Sequence, residues 1–409
     1  MPEATRHPDQ PDREAFVLEL GTRLHECGTP ADRLEQTLEM VSERLGLVGS
    51  FFSTPTSLWA GFGEPENQRV LLARIRGGDV NLERLLRVDA VAGRIIRGEA
   101  TPGEARRELR LIDRWPPRYP LWLTLLCFAI ASAAAAIFLG GSWSDSASAG
   151  IIGLLIGGLV TATAGNRDIA RLTEFLAGLA AAAGATALAM LLPNASMTII
   201  TLAGVIILVP GLTLTVALRE LAARHLVSGT ARLTHALMIF IAIGFGVALG
   251  RVLAAPLATP IGEVTVSAPA PTWATPPALA IAALSFMVLF KARPADAVSI
   301  FIAGVAGFLG ARLGGATLGP ELGASVGAFA LACVANADAR LRKIPSAVTL
   351  MPGLLLLVPG SLGFRSIDAL LAADPTGGLQ TAFTAVLIAT GLVAGLLLAN
   401  VVLPSRQSL

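Results

Sequence analysis

Apolar and polar residues are distributed along this chain in two unlike ways. From residue 119 to residue 404 apolar residues come in long blocks, near 120–140, 148–165, 170–192, 196–218, 233–254, 276–290, 296–312, 321–337, 345–363 and 380–403. Nearly uncharged blocks of this kind read as membrane-crossing helices, although several fall short of the ~20 residues that span a bilayer. Before residue 118 the periods are those of a soluble fold. Phe16, Leu20 and Leu24 share one face of a helix over 12–27, which Gly28 stops. Pro30 opens a second helix, closed by Gly46. SFFSTPTSLWAGF and RVLLARI are aromatic and β-branched and read as strands. Asn81 caps a helix over 82–97, and Thr101-Pro102 starts one that ends near Asp113. The pattern predicts an α-helical polytopic membrane protein of ten transmembrane helices behind an N-terminal α+β head.

The expected divisions are a head over 1–118, with the polar, Pro-containing stretch 1–11 disordered; five helices over 119–255; a Pro-rich linker over 256–275; and five more helices over 276–409. Two of the apolar blocks carry the same interruption. Gly204, four aliphatic residues and Val209-Pro210-Gly211 match Gly353, four aliphatic residues and Val358-Pro359-Gly360, 149 residues further on. Proline removes a backbone donor and clashes with the preceding turn, and glycine loosens the next residue. In lipid, backbone groups freed this way must find other partners. By the apolar run alone, the second break lies nearer the end of its helix than the first.

Composition sharpens the division. Charged residues make up 15% of the 409, against roughly a quarter in a soluble protein. The net charge of +2 sums two unlike parts and points to no nucleic-acid partner. The first thirty residues are polar, which predicts no cleavable signal peptide. Cys27, Cys127 and Cys333 are too scattered for a disulfide framework or a metal centre, and no cofactor is expected. Lysine occurs twice, at Lys291 and Lys343, a usage typical of a high-GC bacterial genome.

Cations sit in alternate loops. Arg110, Arg114 and Arg118 precede the first helix; Arg167 and Arg171 follow the second; Arg219, Arg224 and Arg232 the fourth; Lys291 and Arg293 the sixth; Arg340, Arg342 and Lys343 the eighth; and Arg406 the tenth. The loops between are nearly bare, with Arg251, Arg312 and Arg365 as exceptions. This asymmetry predicts both termini and the head in the cytoplasm. The matching breaks fall in the fourth and ninth helices. An odd number of helices separates them, so the halves run in opposite senses: a 5+5 inverted-topology repeat, a plan common among secondary transporters. Thr173-Glu174 and Pro320-Glu321 open corresponding helices 147 residues apart.

Charges inside such helices usually mark pathways, which singles out Glu174 and Glu321 as candidate proton carriers. Half-helices that begin after Pro210-Gly211 and Pro359-Gly360 aim free N–H groups and a positive dipole end at mid-membrane, a fitting partner for a carboxylate. With Thr213 and Ser361 beside them, these four are the candidate substrate-binding positions. Asn336, a carboxamide needing partners inside a bundle, joins them. With no Walker motif, ATP is not the energy source, and a proton gradient is the simplest alternative. In the head, His25-Glu26-Cys27 and the hydroxyls of 53–57 leave a membrane-anchored hydrolase as a reading of a different class, although no GxSxG elbow is present.

VPGLTLTVALRELAARHLVSGTARLTHAL resembles the signature of the threonine/serine exporter family, and VPGSLGFRSIDALLAADPTGGLQTAF resembles that family's second domain, a separate chain in some relatives. LGTRLHECGTPADRLEQTLE is similar to its N-terminal region. The resemblance implies export of threonine and serine across the bacterial inner membrane, driven by the proton-motive force. Split two-chain relatives imply the alternative of a dicarboxylate such as succinate. The expected partners are therefore a small-molecule substrate, protons and the lipid bilayer; homo-oligomerisation is left open. Arg219-Glu220 departs from the family's Asp-containing stretch, so no role is carried over to Glu220.

Overall fold

The computed structural model describes residues 10–75, 80–192, 194–257 and 268–405. Expectations for residues 1–9, the middle of the 256–275 linker and Arg406 lie outside them. The chain opens with α1 (Gln10–Glu26) and α2 (Ala31–Arg44), separated by Gly28 at φ 87°. An antiparallel meander follows: β1 (Gly49–Thr54), β2 (Ser57–Phe62) and β3 (Arg69–Arg74). Thr54 pairs with Ser57 across the two-residue turn at Pro55-Thr56, and Trp59 pairs with both Phe52 and Leu72. Next come α3 (Leu82–Arg97), capped by Asn81, and α4 (Pro102–Asp113), closed at its start by a Thr101/Glu104 capping box.

Ten passages follow: α5 (Leu121–Phe138); α6 (Trp143–Thr163); after the short α7 (Arg167–Ala170), α8 (Thr173–Leu191); the pair α9 (Met197–Val205) and α10 (Gly211–Ala222); α11 (Leu226–Ala254); α12 (Thr275–Leu289); α13 (Ala297–Leu318); α14 (Pro320–Arg342); the pair α15 (Ala347–Leu355) and α16 (Gly360–Leu371); and α17 (Pro375–Val402). Among the described residues, nine helices are long and apolar enough to cross a membrane, taking α15–α16 as one; α9 and α10 are each too short to qualify alone. The outer surface is a lipid-facing one, with Leu, Val, Ile and Phe side chains exposed along α6, α11 and α17. Exposed Trp122 lies at one end of the bundle and Trp143 and Trp273 at the other, where amphipathic rings favour the interface.

Helices approach closely at glycines. A Cβ at Gly246 would run into the Phe175 carbonyl, and one at Gly395 into that of Ser325, so α11 packs on α8 and α17 on α14 by small-residue contact. Two helices extend beyond their apolar blocks. α11 starts at Leu226 rather than near 233, because Ser228 and Arg232 bond to Glu220 on α10 instead of facing lipid. α16 runs to Leu371 because Asp368 pairs with Arg251 at 2.6 Å. That extension corrects the expected asymmetry of the breaks: α9 and α15 have 9 residues each, and α10 and α16 have 12 each.

The N-terminal elements do not stand apart from the bundle. Their apolar core of Phe16, Leu20, Leu58, Val88 and Leu109 continues into Cys127, Met287, Val288, Ile300 and Met351. The Leu82 N–H donates to the Phe290 carbonyl at 3.0 Å, Tyr119 Oη to the Ala292 carbonyl at 2.6 Å, and Arg118 bonds Glu83 through two nitrogens at 2.5 Å.

Asp89 is buried within α3, 7% exposed. Burial pushes its carboxyl up to about 7, against the opposing pull of Arg97. The folded value exceeds the unfolded value of about 3.9. Its contribution to stability is therefore fully present below pH ~4 and lost as pH rises through 7, a swing of about 4 kcal/mol. Hydrogen-exchange protection of α3, corrected for intrinsic rates, is expected to fall between about pH 4 and about pH 7 and to level off above, and Asp89→Asn should flatten that slope. An unchanged slope in the Asn variant would rule Asp89 out as its source.

Candidate site at the crossing of two broken helices

The two interrupted passages are built alike. Pro210 has φ −81° and ψ 42°, and Pro359 has φ −80° and ψ 36°. In the first, the Gly211 N–H turns back to the Val209 carbonyl at 2.8 Å, a tight reversal centred on the proline. A new helix then starts at each glycine, and its first N–H groups have no partner within the helix.

These starts meet. A Cβ at Gly211 would lie 3.2 Å from both N and Cα of Gly360 and 2.8 Å from Val358 Cγ2. A Cβ at Gly360 would lie 3.5 Å from Gly211 Cα and 2.8 Å from Val209 Cγ1. A side chain at Gly211 would press on the Gly360 backbone, whereas at Gly360 the obstacle is the Val209 methyl.

A cavity lies to each side of the crossing. The one away from the N-terminal elements, about 230 Å³, is lined by Val209, Gly360, Ser361 and apolar side chains of α5, α12 and α13. Phe138 and Phe308 border it, with ring centroids 6.1 Å apart. The other, about 70 Å³, is lined by Leu212, Thr215, Arg219, Asn336 and Asn400, and by Thr29, Pro30 and Arg33 from the N-terminal elements.

Of the sequence-level candidates, Pro210, Gly211, Pro359, Gly360 and Ser361 are thus brought together. Thr213 sits in the first turn of α10 but lines neither cavity. Asn336 lies apart on α14, donating to Asn400 Oδ1 at 3.0 Å and to the Leu403 carbonyl at 2.8 Å, and borders the smaller cavity. Glu174 and Glu321 are each the second residue of their helix, half-buried, at opposite ends of the bundle and outside both cavities. Glu174 therefore lies in the first turn, where the dipole favours a carboxylate.

The sequence reading missed several groups. Glu220 is fully buried, accepting from the Ala31 N–H (3.1 Å), Ser228 Oγ (3.0 Å) and Arg232 Nε (3.0 Å). Arg219 pairs with Asp32 at 2.8 Å. Asp145, 2% exposed at the start of α6, accepts from the Ser196 N–H at 2.6 Å, and Asp296, 1% exposed just before α13, accepts from Arg342 at 2.5 Å. Asp145 thus ties the start of α6 to the turn before α9, and Asp296 ties the turn before α13 to the last residue of α14. No local pattern marks these contacts, since their partners are remote in sequence.

The N-terminal cluster does not form a nucleophile and base. His25 Nε2 bonds to the Thr54 carbonyl at 2.7 Å, and burial lowers its pKa. Burial pushes the Cys27 thiol up to about 12. Among the described residues, no histidine bonds to a hydroxyl.

Fold and site together define a polytopic membrane protein organised around a pair of broken helices. Residues 15–254 match the family profile described as "Putative threonine/serine exporter", and residues 278–402 match a second, described as "Threonine/Serine exporter, ThrE". The chain belongs to the threonine/serine exporter family, with both parts fused. Among curated proteins it is similar to Pheromone-regulated membrane protein 10 of Kluyveromyces lactis, 29% identical over 247 residues, 59% of this chain and 26% of that one. It is 25% identical to the Eremothecium gossypii protein of that name over 363 residues, 87% of this chain and 49% of that one. The Saccharomyces cerevisiae protein is 23% identical over 419 residues, 94% and 53% of the two chains. The chain thus spans between about a quarter and about half of the length of these curated relatives. No solved structure matches it.

Proposed function

We propose that this chain exports a small amino acid, threonine or serine, by alternating access about the Gly211–Gly360 crossing. The observation that carries this reading is the crossing itself, a pivot of two short backbone breaks with a cavity on each side. Rocking one half-bundle against the other opens one cavity as it closes the opposite one, and the unpartnered N–H groups at the two helix starts receive the substrate's carboxylate. A 5+5 inverted repeat fits the equal half-helices and the glycine contacts at 246 and 395.

In this reading residues 10–118 form a cytoplasmic α+β head and both termini are cytoplasmic. Arg118, Arg219, Arg224, Lys291, Arg293, Arg340 and Lys343 gather at the head-side end of the bundle, as the rule for cytoplasmic loops requires. Residue usage favours a bacterial inner membrane. Glu174 and Glu321 carry the coupling protons, one near each membrane face.

The test uses proteoliposomes with an imposed pH gradient. The wild type should move labelled threonine or serine against its own gradient. Glu174→Gln/Glu321→Gln should lose the pH dependence by about tenfold or more while retaining threonine–threonine exchange. A double variant with wild-type pH dependence discards both residues as couplers. A second reading, a dicarboxylate exporter, is favoured by the two arginines lining the head-side cavity; transport of succinate but not threonine in the same vesicles would establish it.

A further inference from the structure

Two arginines border the head-side cavity, and among the described residues only one of them has an ion-pair partner. Arg219, near the end of α10, has Asp32 as partner at 2.8 Å. Arg33, in the first turn of α2, also borders the cavity, and its Nη2 donates to Ser405 Oγ at 2.8 Å. Among the described residues no carboxylate lies within ion-pair distance of Arg33. Both donors of the Asn336 amide are taken, by Asn400 Oδ1 and the Leu403 carbonyl, while the Asn400 amide nitrogen has no partner among the described residues. Ser346 lines the cavity immediately before α15, where the Val348 and Thr349 N–H groups are taken by the Pro345 and Ser346 carbonyls at 3.1 and 3.2 Å, so only the helix dipole adds to the positive side of the space. The Arg33 guanidinium and the Asn400 amide thus border the same space of about 70 Å³. An anion of carboxylate size suits both, and a planar guanidinium holds it best through two parallel hydrogen bonds.

We infer that this cavity is an entry site for the substrate's carboxylate, with Arg33 supplied by the N-terminal elements as a binding residue. Those elements are then part of the transport path, since the pocket is incomplete without the start of α2. The ligand chemistry is a carboxylate, whether borne by an amino acid or by a dicarboxylate. The inference rests on the transport reading only for the source of that group.

The experiment measures equilibrium binding of labelled L-threonine and labelled succinate to full-length protein in nanodiscs. Wild type, Arg33→Gln and Arg33→Lys are compared, with L-threonine amide as competitor against the wild type. Arg33→Gln should weaken binding by about tenfold or more, and Arg33→Lys, which keeps the charge but not the fork, should recover part of the loss. Threonine amide should compete at least about tenfold less well than threonine, a result that needs no variant to fold. Wild-type affinity in a well-folded Arg33→Gln, or equal competition by the amide, overturns the site and leaves the exporter reading intact. Arg33-dependent binding of succinate without threonine keeps the site and overturns the amino-acid reading. Binding of neither ligand overturns both.

Discussion

Gly211→Leu and Gly360→Leu are each expected to abolish transport, lowering flux in proteoliposomes by more than about a hundredfold at equal protein level. Even a methyl group at Gly211 would sit 2.8 Å from Val358 Cγ2 and 3.2 Å from the Gly360 backbone. The valine can yield, but the facing backbone cannot without separating the two half-bundles. Overpacking of a fitted contact typically costs about 1–3 kcal/mol. At a pivot the cost differs between the states of the cycle that hold the two glycines at different separations, so it adds to the barriers between them and flux suffers more than folding. The alanine variants are milder, and the geometry names their rescue. Val358→Ala should restore much of the activity of Gly211→Ala, and Val209→Ala that of Gly360→Ala, because those methyls are the first obstacles. Normal threonine flux in both leucine variants would falsify the pivot.

Glu220→Ala should produce the largest loss of stability of any single change considered. The side chain is 0% exposed and ties three segments together: the start of α2 through Ala31, and α11 through Ser228 and Arg232. Removing one partner of a buried ion pair leaves the other uncompensated, at about 3–5 kcal/mol. Thermal unfolding should drop accordingly, and limited proteolysis should release the N-terminal elements at lower protease concentration. Glu220→Gln keeps the shape and most of the hydrogen bonding and should cost less. Glu220→Leu/Arg232→Met, which removes both charges, should also be milder than Glu220→Ala. If it is not, the Ala31 contact matters more than the ion pair. If Glu220→Ala melts with the wild type, the carboxylate does not hold the junction.

The breaks at Pro210 and Pro359 could be read from the sequence because proline and glycine stand out in an apolar run, and the two are built alike. The helices of the N-terminal elements were equally plain, since Gly28, Asn81 and Thr101-Pro102 act locally. What stayed hidden depends on partners far away in the chain. Arg365 and Asp368 made the ninth apolar block look short, because a lone sequence cannot say that Asp368 will meet Arg251. Glu220 was given no role from the sequence, because its partner Ala31 lies 189 residues earlier. Arg33 carried no signal, being one arginine among many on a soluble-looking helix. Met287, Val288 and Met351 read as ordinary bundle positions, although they complete the core of the N-terminal elements.

That shared core has a consequence for the order of synthesis. The N-terminal elements are made before the bundle, but the apolar face closed by Met287, Val288, Ile300 and Met351 is fully covered only after eight helical passages and the start of the ninth have been made. Phe16, Leu20 and their neighbours can collapse early, whereas the docking face waits with its surface open to water. The nascent chain therefore passes through a long interval in which elements made early wait for elements made late. Its last stage of folding is a docking event, triggered from a position more than two hundred residues downstream.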